Sequence, residues 1–331
     1  MALLLDRATI ENLLDMKEAI DLMEQAFVEL GNGAVDMPQR LTITDTDRAG
    51  WTAVMPANLK DTGALGVKTV TVFRNNPAKH GTPSTLATIL LLDRETGQPL
   101  SVMDGGYITA MRTGAVSGLA TRYLAREDAT IAGVIGTGEQ ARTQLLAMCT
   151  ERPIERAVCF STSSCERQHA FARDMGERIG IPIETVNTAR DVVEEAEVLA
   201  LATTSREPVI NGEWFKPGMH INGIGAHTPQ TRELDTEAML RSKVVCDLLS
   251  ACMAEAGDLL IPMSEGAFDQ GMVHGDLGEI VTGRKTARQN SQEITLFKSV
   301  GLSVQDVATA HYVYRKAVEQ GVGTTFDFQG N

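Results

Sequence analysis

The 331-residue chain has no surplus of basic residues: 30 Lys and Arg face 43 Asp and Glu, for a net charge of -13. That balance argues against nucleic-acid or anionic-lipid partners, yet leaves room for a locally basic site that takes an anionic substrate. No run approaches the ~20 apolar residues of a membrane span. The N-terminal stretch MALLLDRATIENLL has no basic leader and is broken by Asp6, which reads against a signal peptide and for a cytoplasmic protein. Cysteine is scarce: Cys149, Cys159, Cys165, Cys246 and Cys252 are scattered, odd in number and without zinc spacing. Reduced thiols and no metal site are expected. Repeats and low-complexity segments are also missing. What remains, 43% hydrophobic and 22% charged residues, is an ordinary globular composition. The length suits two domains of roughly 100 to 200 residues each.

Residues 15–32 read as an amphipathic helix, with Asp15 and Glu18 spaced as a capping box and Met16, Ala19, Ile20, Met23, Phe27 and Leu30 on one face. Strand patterns follow at 51–56, 65–73, 85–92 and 100–103, so the first hundred residues read as mostly antiparallel β with a leading helix. Residues 107–124 form a long helix rich in Ala and Gly. Strands at 130–135, 157–161, 197–202, 219–224 and 243–247 then alternate with helices at 139–150, 164–179, 189–194 and 233–241, the signature of a parallel sheet with crossover helices. Residues 255–285 read as glycine-rich and irregular, with a short helix opening at Leu277. A last helix covers 303–319, and its position suggests a return to the first domain.

The strand–turn–helix at 129–150 carries the clearest functional signal. Gly136-Thr137-Gly138-Glu139-Gln140-Ala141 follows a β-type run and opens a helix, the order that binds a dinucleotide pyrophosphate. Gly136 suits the tight turn, Gly138 a close approach of phosphate to the backbone, and Ala141 close helix–strand packing. The free N–H groups at the helix start face the phosphate charge. The pattern is weak alone, because glycine turns are common, and gains weight from its context. NAD enzymes place an acid at the end of the second strand to hold the ribose 2′-OH. Here Ser161, Thr162, Ser163 and Ser164 stand there, with Arg167 close by. Ser161, Thr162 and Arg167 can hydrogen-bond a 2′-phosphate, or the hydroxyls merely cap a helix. The reading leans to NADPH and leaves NADH open.

Three cations lie upstream: Arg40, Lys68 and Arg112. Each alone suits a surface or a salt bridge. Lys68, however, interrupts an apolar strand, where an unpaired charge is costly, so it calls for a substrate or internal carboxylate partner. Arg suits bidentate carboxylate binding, and a buried Lys shifts its pKa.

In order along nearly the whole chain come Val54-Met55-Pro56-Ala57, Gly66-Val67-Lys68, Arg112-Thr113-Gly114-Ala115, the glycine turn, Ile224-Gly225-Ala226 and Arg232-Glu233-Leu234-Asp235. Ala256-Gly257-Asp258, Leu277-Gly278-Glu279-Ile280, Phe297-Lys298-Ser299-Val300-Gly301 and Gln305-Asp306 complete the series. The sequence thereby resembles the ornithine cyclodeaminase and μ-crystallin family. The resemblance implies an α/β protein: a Rossmann-type doubly wound domain over 123–302, and a mixed α+β substrate-binding and dimerisation domain over 1–122 and 303–331. It implies a homodimer. It also implies that Arg40, Lys68 and Arg112 surround the substrate, and that Thr113, Thr203, Thr204, Ser205, Gly225, Ser299 and Val300 lie near the cofactor.

Two departures stand out. Cyclodeaminases of the family carry an Asp in the loop after Ile224-Gly225, where this chain has His227, which speaks against ornithine cyclodeamination. It also makes His227 a catalytic candidate beside Lys68 and Arg112, able to donate a hydrogen bond, shuttle a proton or, as His⁺, attract a second carboxylate. Arg74 stands where many relatives are uncharged, and with His227 it suits a second substrate carboxylate or a surface. The expected activity is an NAD(P)H-dependent imine reductase making an L-amino acid. Its substrate would be a cyclic ketimine (pyrroline-2-carboxylate or piperideine-2-carboxylate) or a linear imino acid such as iminosuccinate. The rivals are an alanine-type dehydrogenase, an ornithine cyclodeaminase and a non-catalytic binder of the μ-crystallin kind.

Overall fold

A computed structural model describes residues 1–328 and 330. In chain order its elements begin β1 (Ala2–Leu5), α1 (Arg7–Leu13), α2 (Met16–Gly31), β2 (Val35–Asp36), β3 (Leu41–Asp45), β4 (Gly50–Leu59), β5 (Ala64–Phe73), α3 (Asn76–His80), β6 (Thr85–Leu92), β7 (Pro99–Asp104) and α4 (Gly105–Leu124). They continue with β8 (Ile131–Ile135), α5 (Glu139–Glu151), β9 (Arg156–Phe160), α6 (Cys165–Ile179), β10 (Ile183–Thr185), α7 (Ala189–Glu195), β11 (Val198–Leu201), β12 (His220–Gly223), α8 (Thr236–Arg241), β13 (Lys243–Cys246), α9 (Leu249–Glu255) and α10 (Gly257–Ser264). The last are β14 (Val273–Asp276), α11 (Leu277–Val281), β15 (Thr295–Lys298), α12 (Ser303–Gln320) and β16 (Thr324–Phe326). The chain divides into two compact units, Met1–Arg112 with the segment from Leu302 onward, and Thr113–Gly301. The division falls inside α4, ten residues before the sequence-based boundary at 122.

The first unit is built on a mixed sheet in the order β16-β1-β7-β6-β5-β4-β2, with β3 also on β4. β1 runs parallel to β7, whereas β4, β5, β6 and β7 pair antiparallel. α2 starts at the expected capping box, with Asp15 accepting from the Glu18 N–H and Glu18 from the Asp15 N–H. α12 packs on β4, β5 and α2, so the last helix does return to this unit. Alternation decides what β5 offers that helix. Ala64, Gly66, Lys68 and Val70 are buried on one face while Thr69 is exposed. A Cβ at Gly66 would stand 2.9 Å from the Leu90 carbonyl oxygen of β6 and 3.4 Å from Val307 of α12, so it is the neighbouring strand rather than the helix that demands the glycine.

The second unit holds a parallel sheet in the order β10-β9-β8-β11-β12-β15-β13-β14. Strand order reverses between β8 and β11, the place where doubly wound sheets bind ligands outside the strand ends. Two expectations fail here. Residues 255–285 are not irregular throughout, since they include α10 and β14. Gly257, the first residue of α10, lies where a Cβ would collide with the Thr231 carbonyl, so it serves close packing. The helix expected at 233–241 begins at Thr236, capped by Asp235, and Glu233 is turned inward instead.

Candidate active site

The nucleotide side is built by the second unit. β8 delivers the chain to Gly136, whose φ of +114° is open only to glycine. A Cβ there would also collide with the Ala202 carbonyl oxygen. Gly138 is the N-cap of α5 and, having no side chain, makes no side-chain cap bond to that helix start. A Cβ on Gly138 would meet no protein atom within 4 Å. The space before the helix N-terminus is therefore open, which fits a phosphate approaching backbone. Glu139 is exposed, Gln140 half-buried, and Ala141 fully buried against the β8 side of the core.

At the end of β9 the hydroxyls close on the turn. Thr137 Oγ1 is 3.1 Å from Ser161 Oγ, and Ser161 Oγ is 2.5 Å from Ser163 Oγ. The capping role falls to Ser164, which accepts from the Arg167 N–H. Ser161 is thus not a cap. Thr162 and the Arg167 side chain are exposed. Ser163, absent from the expected contacts, joins the group.

The loops after β11 and β12 are held by an acid that residue patterns did not single out. Glu233, fully buried, accepts from the Thr203 N–H at 2.7 Å and the Gly225 N–H at 2.6 Å. Burial pushes its pKa up, and nearby Lys298 opposes this. Lys298 Nζ pairs with Asp258 at 2.7 Å and donates to the Ala226 carbonyl. Thr204 is exposed and Ser205 half-buried. Ser299 and Val300 sit on a second buried acid: Asp247 Oδ2 accepts from Ser299 Oγ, the Val300 N–H and the Gly301 N–H at 2.7 to 2.9 Å. Thr113 presents its carbonyl to Gln144 Nε2 at 3.0 Å. His227 is exposed, and its Nδ1 lies 3.0 Å from the Gly225 carbonyl oxygen.

The cation group belongs to the first unit. Lys68 is 1% exposed, and its Nζ lies 2.7 Å from Asp306 Oδ2 and 3.4 Å from Thr109 Oγ1. Arg112 donates through Nε to Asp306 Oδ1 at 2.9 Å and through Nη1 to Gln305 Oε1 at 2.5 Å. Burial drives the Lys68 pKa down to about 7, against the pull of Asp306, and the charges of Arg112 and Arg40 lower it further. Arg40, half-buried just before β3, is therefore near enough to act on Lys68 electrostatically. Arg74 is exposed in the turn after β5 and takes no part in these bonds. A lysine that holds its proton close to neutrality, beside an arginine fixed by two acceptors, can bind a carboxylate and deliver a proton. Among the described residues no group of His, Cys, Asp and Glu could hold a metal ion.

The model of the Ornithine cyclodeaminase/mu-crystallin family matches residues 2–321. The chain belongs to that family. The Delta(1)-pyrroline-2-carboxylate reductase of Bacillus cereus is 36% identical over 318 residues, 96% of this chain and 97% of the relative. The structure of Thermococcus litoralis Delta(1)-pyrroline-2-carboxylate reductase in complex with NADH and L-proline is similar at a TM-score of 0.95 and 48% identity, covering 98% of this chain and 100% of that one. An archaeal alanine dehydrogenase dimer with bound NAD reaches a TM-score of 0.93 at 36% identity, covering 99% of each chain. These likenesses bear out the expected α/β fold, a Rossmann-type parallel sheet together with a unit built on a mixed sheet.

Proposed function

We propose that this chain is an NAD(P)H-dependent imine reductase that converts a cyclic ketimine, of the pyrroline-2-carboxylate type, into the L-amino acid. The buried Lys68–Asp306–Arg112 group carries this reading, because it joins a cation suited to a carboxylate with a lysine able to give up a proton near neutral pH. Bound NAD(P)H supplies the hydride that the imine carbon takes up. The chain's own part is to hold the substrate carboxylate on Arg112 and Arg40 and to keep the imine nitrogen protonated through Lys68. Protonation makes the C=N carbon electrophilic, and orientation of both reactants supplies much of the rate. Asp306 keeps the proton on Lys68, since its charge raises the lysine's pKa.

For the cofactor we favour NADPH. No acid stands at the end of β9, and the Thr137–Ser161–Ser163 hydroxyls offer donors without repelling a 2′-phosphate. NADH is the competing outcome, as the Thermococcus litoralis relative is described with NADH. We assign His227, and separately Arg74, to substrate selection rather than to the proton transfer. The homodimer is proposed through the β-sheet of the first unit, where Leu41 and Ile43 are 64% and 61% exposed.

Oxidation of NADPH and NADH against cyclic imines, linear imino acids, and pyruvate with ammonia tests the reading. Turnover of the cyclic imines is expected. Turnover of pyruvate with ammonia alone would make the chain an alanine-type dehydrogenase, and ornithine converted to proline without net cofactor change would overturn the reductase reading.

A further inference from the structure

Gln305 stands at the start of α12, wholly buried, with its Oε1 accepting from Arg112 Nη1. Its Nε2 is buried as well and has no hydrogen-bond partner among the described residues. Turning the carboxamide over would not relieve this. It would set Nε2 against the Arg112 N–H, donor facing donor, so Oε1 must face the guanidinium. The amide N–H groups are thus forced away from Arg112, and nothing among the described residues accepts them. A buried donor left unmade is costly, and such a group in a native site marks a missing partner.

We propose that Gln305 is a substrate-binding residue whose carboxamide N–H donates to the carboxylate of the imino acid beside Arg112. Asp306 and Gln305 take Arg112 Nε and Nη1, and neither takes Nη2. One carboxylate oxygen on that remaining edge and the other on Gln305 would use both donors at once. A purely orienting role for Gln305 needs only its oxygen, and a glutamate would fill it with a stronger, charge-assisted bond. The glutamine adds a donor without adding negative charge, which suits an anionic ligand. The proposal rests on the reductase reading for the identity of that ligand.

The test is calorimetry on the full-length protein with cofactor bound, using pyrrole-2-carboxylate as a planar, unreactive analogue, together with a crystal structure of that complex. Gln305→Met, of similar size, and Gln305→Glu, which keeps the acceptor for Arg112, are each expected to weaken the analogue by about tenfold or more. Cofactor affinity should not move. In the wild-type complex Nε2 should lie within about 3.2 Å of a carboxylate oxygen. Unchanged affinity in a variant that melts like the wild type, or an Nε2 that meets only water in the complex, would overturn the assignment. The crystal structure decides even if neither variant folds. Turnover separates the two claims. If the wild type ignores cyclic imines and uses pyruvate with ammonia, the reductase reading fails. Gln305 is then judged by the same variants' KM for pyruvate, where a comparable rise supports it and no rise overturns it.

Discussion

Replacing Asp306 by asparagine should damage stability and activity together, in amounts that follow from one geometry. The Asp306 carboxylate is wholly buried and holds two cations, Lys68 at 2.7 Å and Arg112 at 2.9 Å. Removing one partner of a buried pair commonly costs about 3–5 kcal/mol, because a charge is left without compensation. Lys68 can escape part of that cost by losing its proton. Its pKa is already down to about 7, and Asp306 is what raises it from still lower values. In Asp306→Asn the lysine should therefore be neutral at pH 7.5, leaving Arg112 as the main uncompensated charge and a loss nearer ~3 kcal/mol. The proton donor would be missing at the same pH. If Lys68 supplies the proton, log(kcat/KM) should fall above about pH 7 in the wild type. In the variant that break should move to lower pH, and activity at a fixed alkaline pH should drop about tenfold for each pH unit the break moves. Stability follows the same proton. A lysine depressed in the folded state binds fewer protons than the unfolded chain from about pH 7 up to 10.5, so deprotonation relieves its burial and its contribution to stability rises across that window. In the variant the rise should start below pH 7. Urea unfolding across pH 5–10 and a pH–rate profile of cyclic-imine reduction measure both effects. A break that stays put would show that Lys68 is not the titrating donor, and a stability loss under ~1 kcal/mol would show that the two cations do not depend on Asp306.

Other consequences are smaller in scope. Gly138→Ala should weaken NAD(P)H binding by about tenfold or more while changing stability by no more than ~0.5 kcal/mol, since the new methyl meets solvent and the incoming phosphate rather than protein; fluorescence titration beside thermal melting checks this. Ser161→Asp puts an acid at the end of β9 and should raise the KM for NADPH well above that for NADH, whereas equal changes for both cofactors would remove the hydroxyl group from the 2′ site. His227→Ala should leave kcat/KM for a cyclic imine within about threefold, given an exposed ring whose Nδ1 meets its own loop, and a loss beyond about a hundredfold would return His227 to the proton transfer.

Much of the second unit was legible because its signals are local. A turn needing positive φ demands glycine at 136, a helix start demands a cap such as Asp15, and buried parallel strands demand apolar runs. The elements that escaped notice were short or disguised. Ile183–Thr185, Val273–Asp276 and Thr295–Lys298 have three or four residues each, too few to display a period, and α10 contains Pro262 and begins at a glycine. Charge and hydroxyl type alone also do not say which way a side chain turns, and Arg74 and Thr162 are exposed.

By itself the sequence determined the cofactor class, the two-part fold and the three cations. It also marked Lys68 as a charge in need of a partner. Which partner it has was decided only by tertiary structure. Asp306 and Arg112 are 194 positions apart and meet because α12 packs back on the face of β5 that carries Lys68. The same packing leaves the Gln305 amide without an acceptor among the described residues, and in the other unit an analogous inward turn puts Glu233 between the Thr203 and Gly225 amides. Residue type and spacing encode turns, caps and faces, because those depend on neighbours in the chain. The pairing of a buried charge depends on groups far along the chain, and its energy is settled only when packing has excluded water.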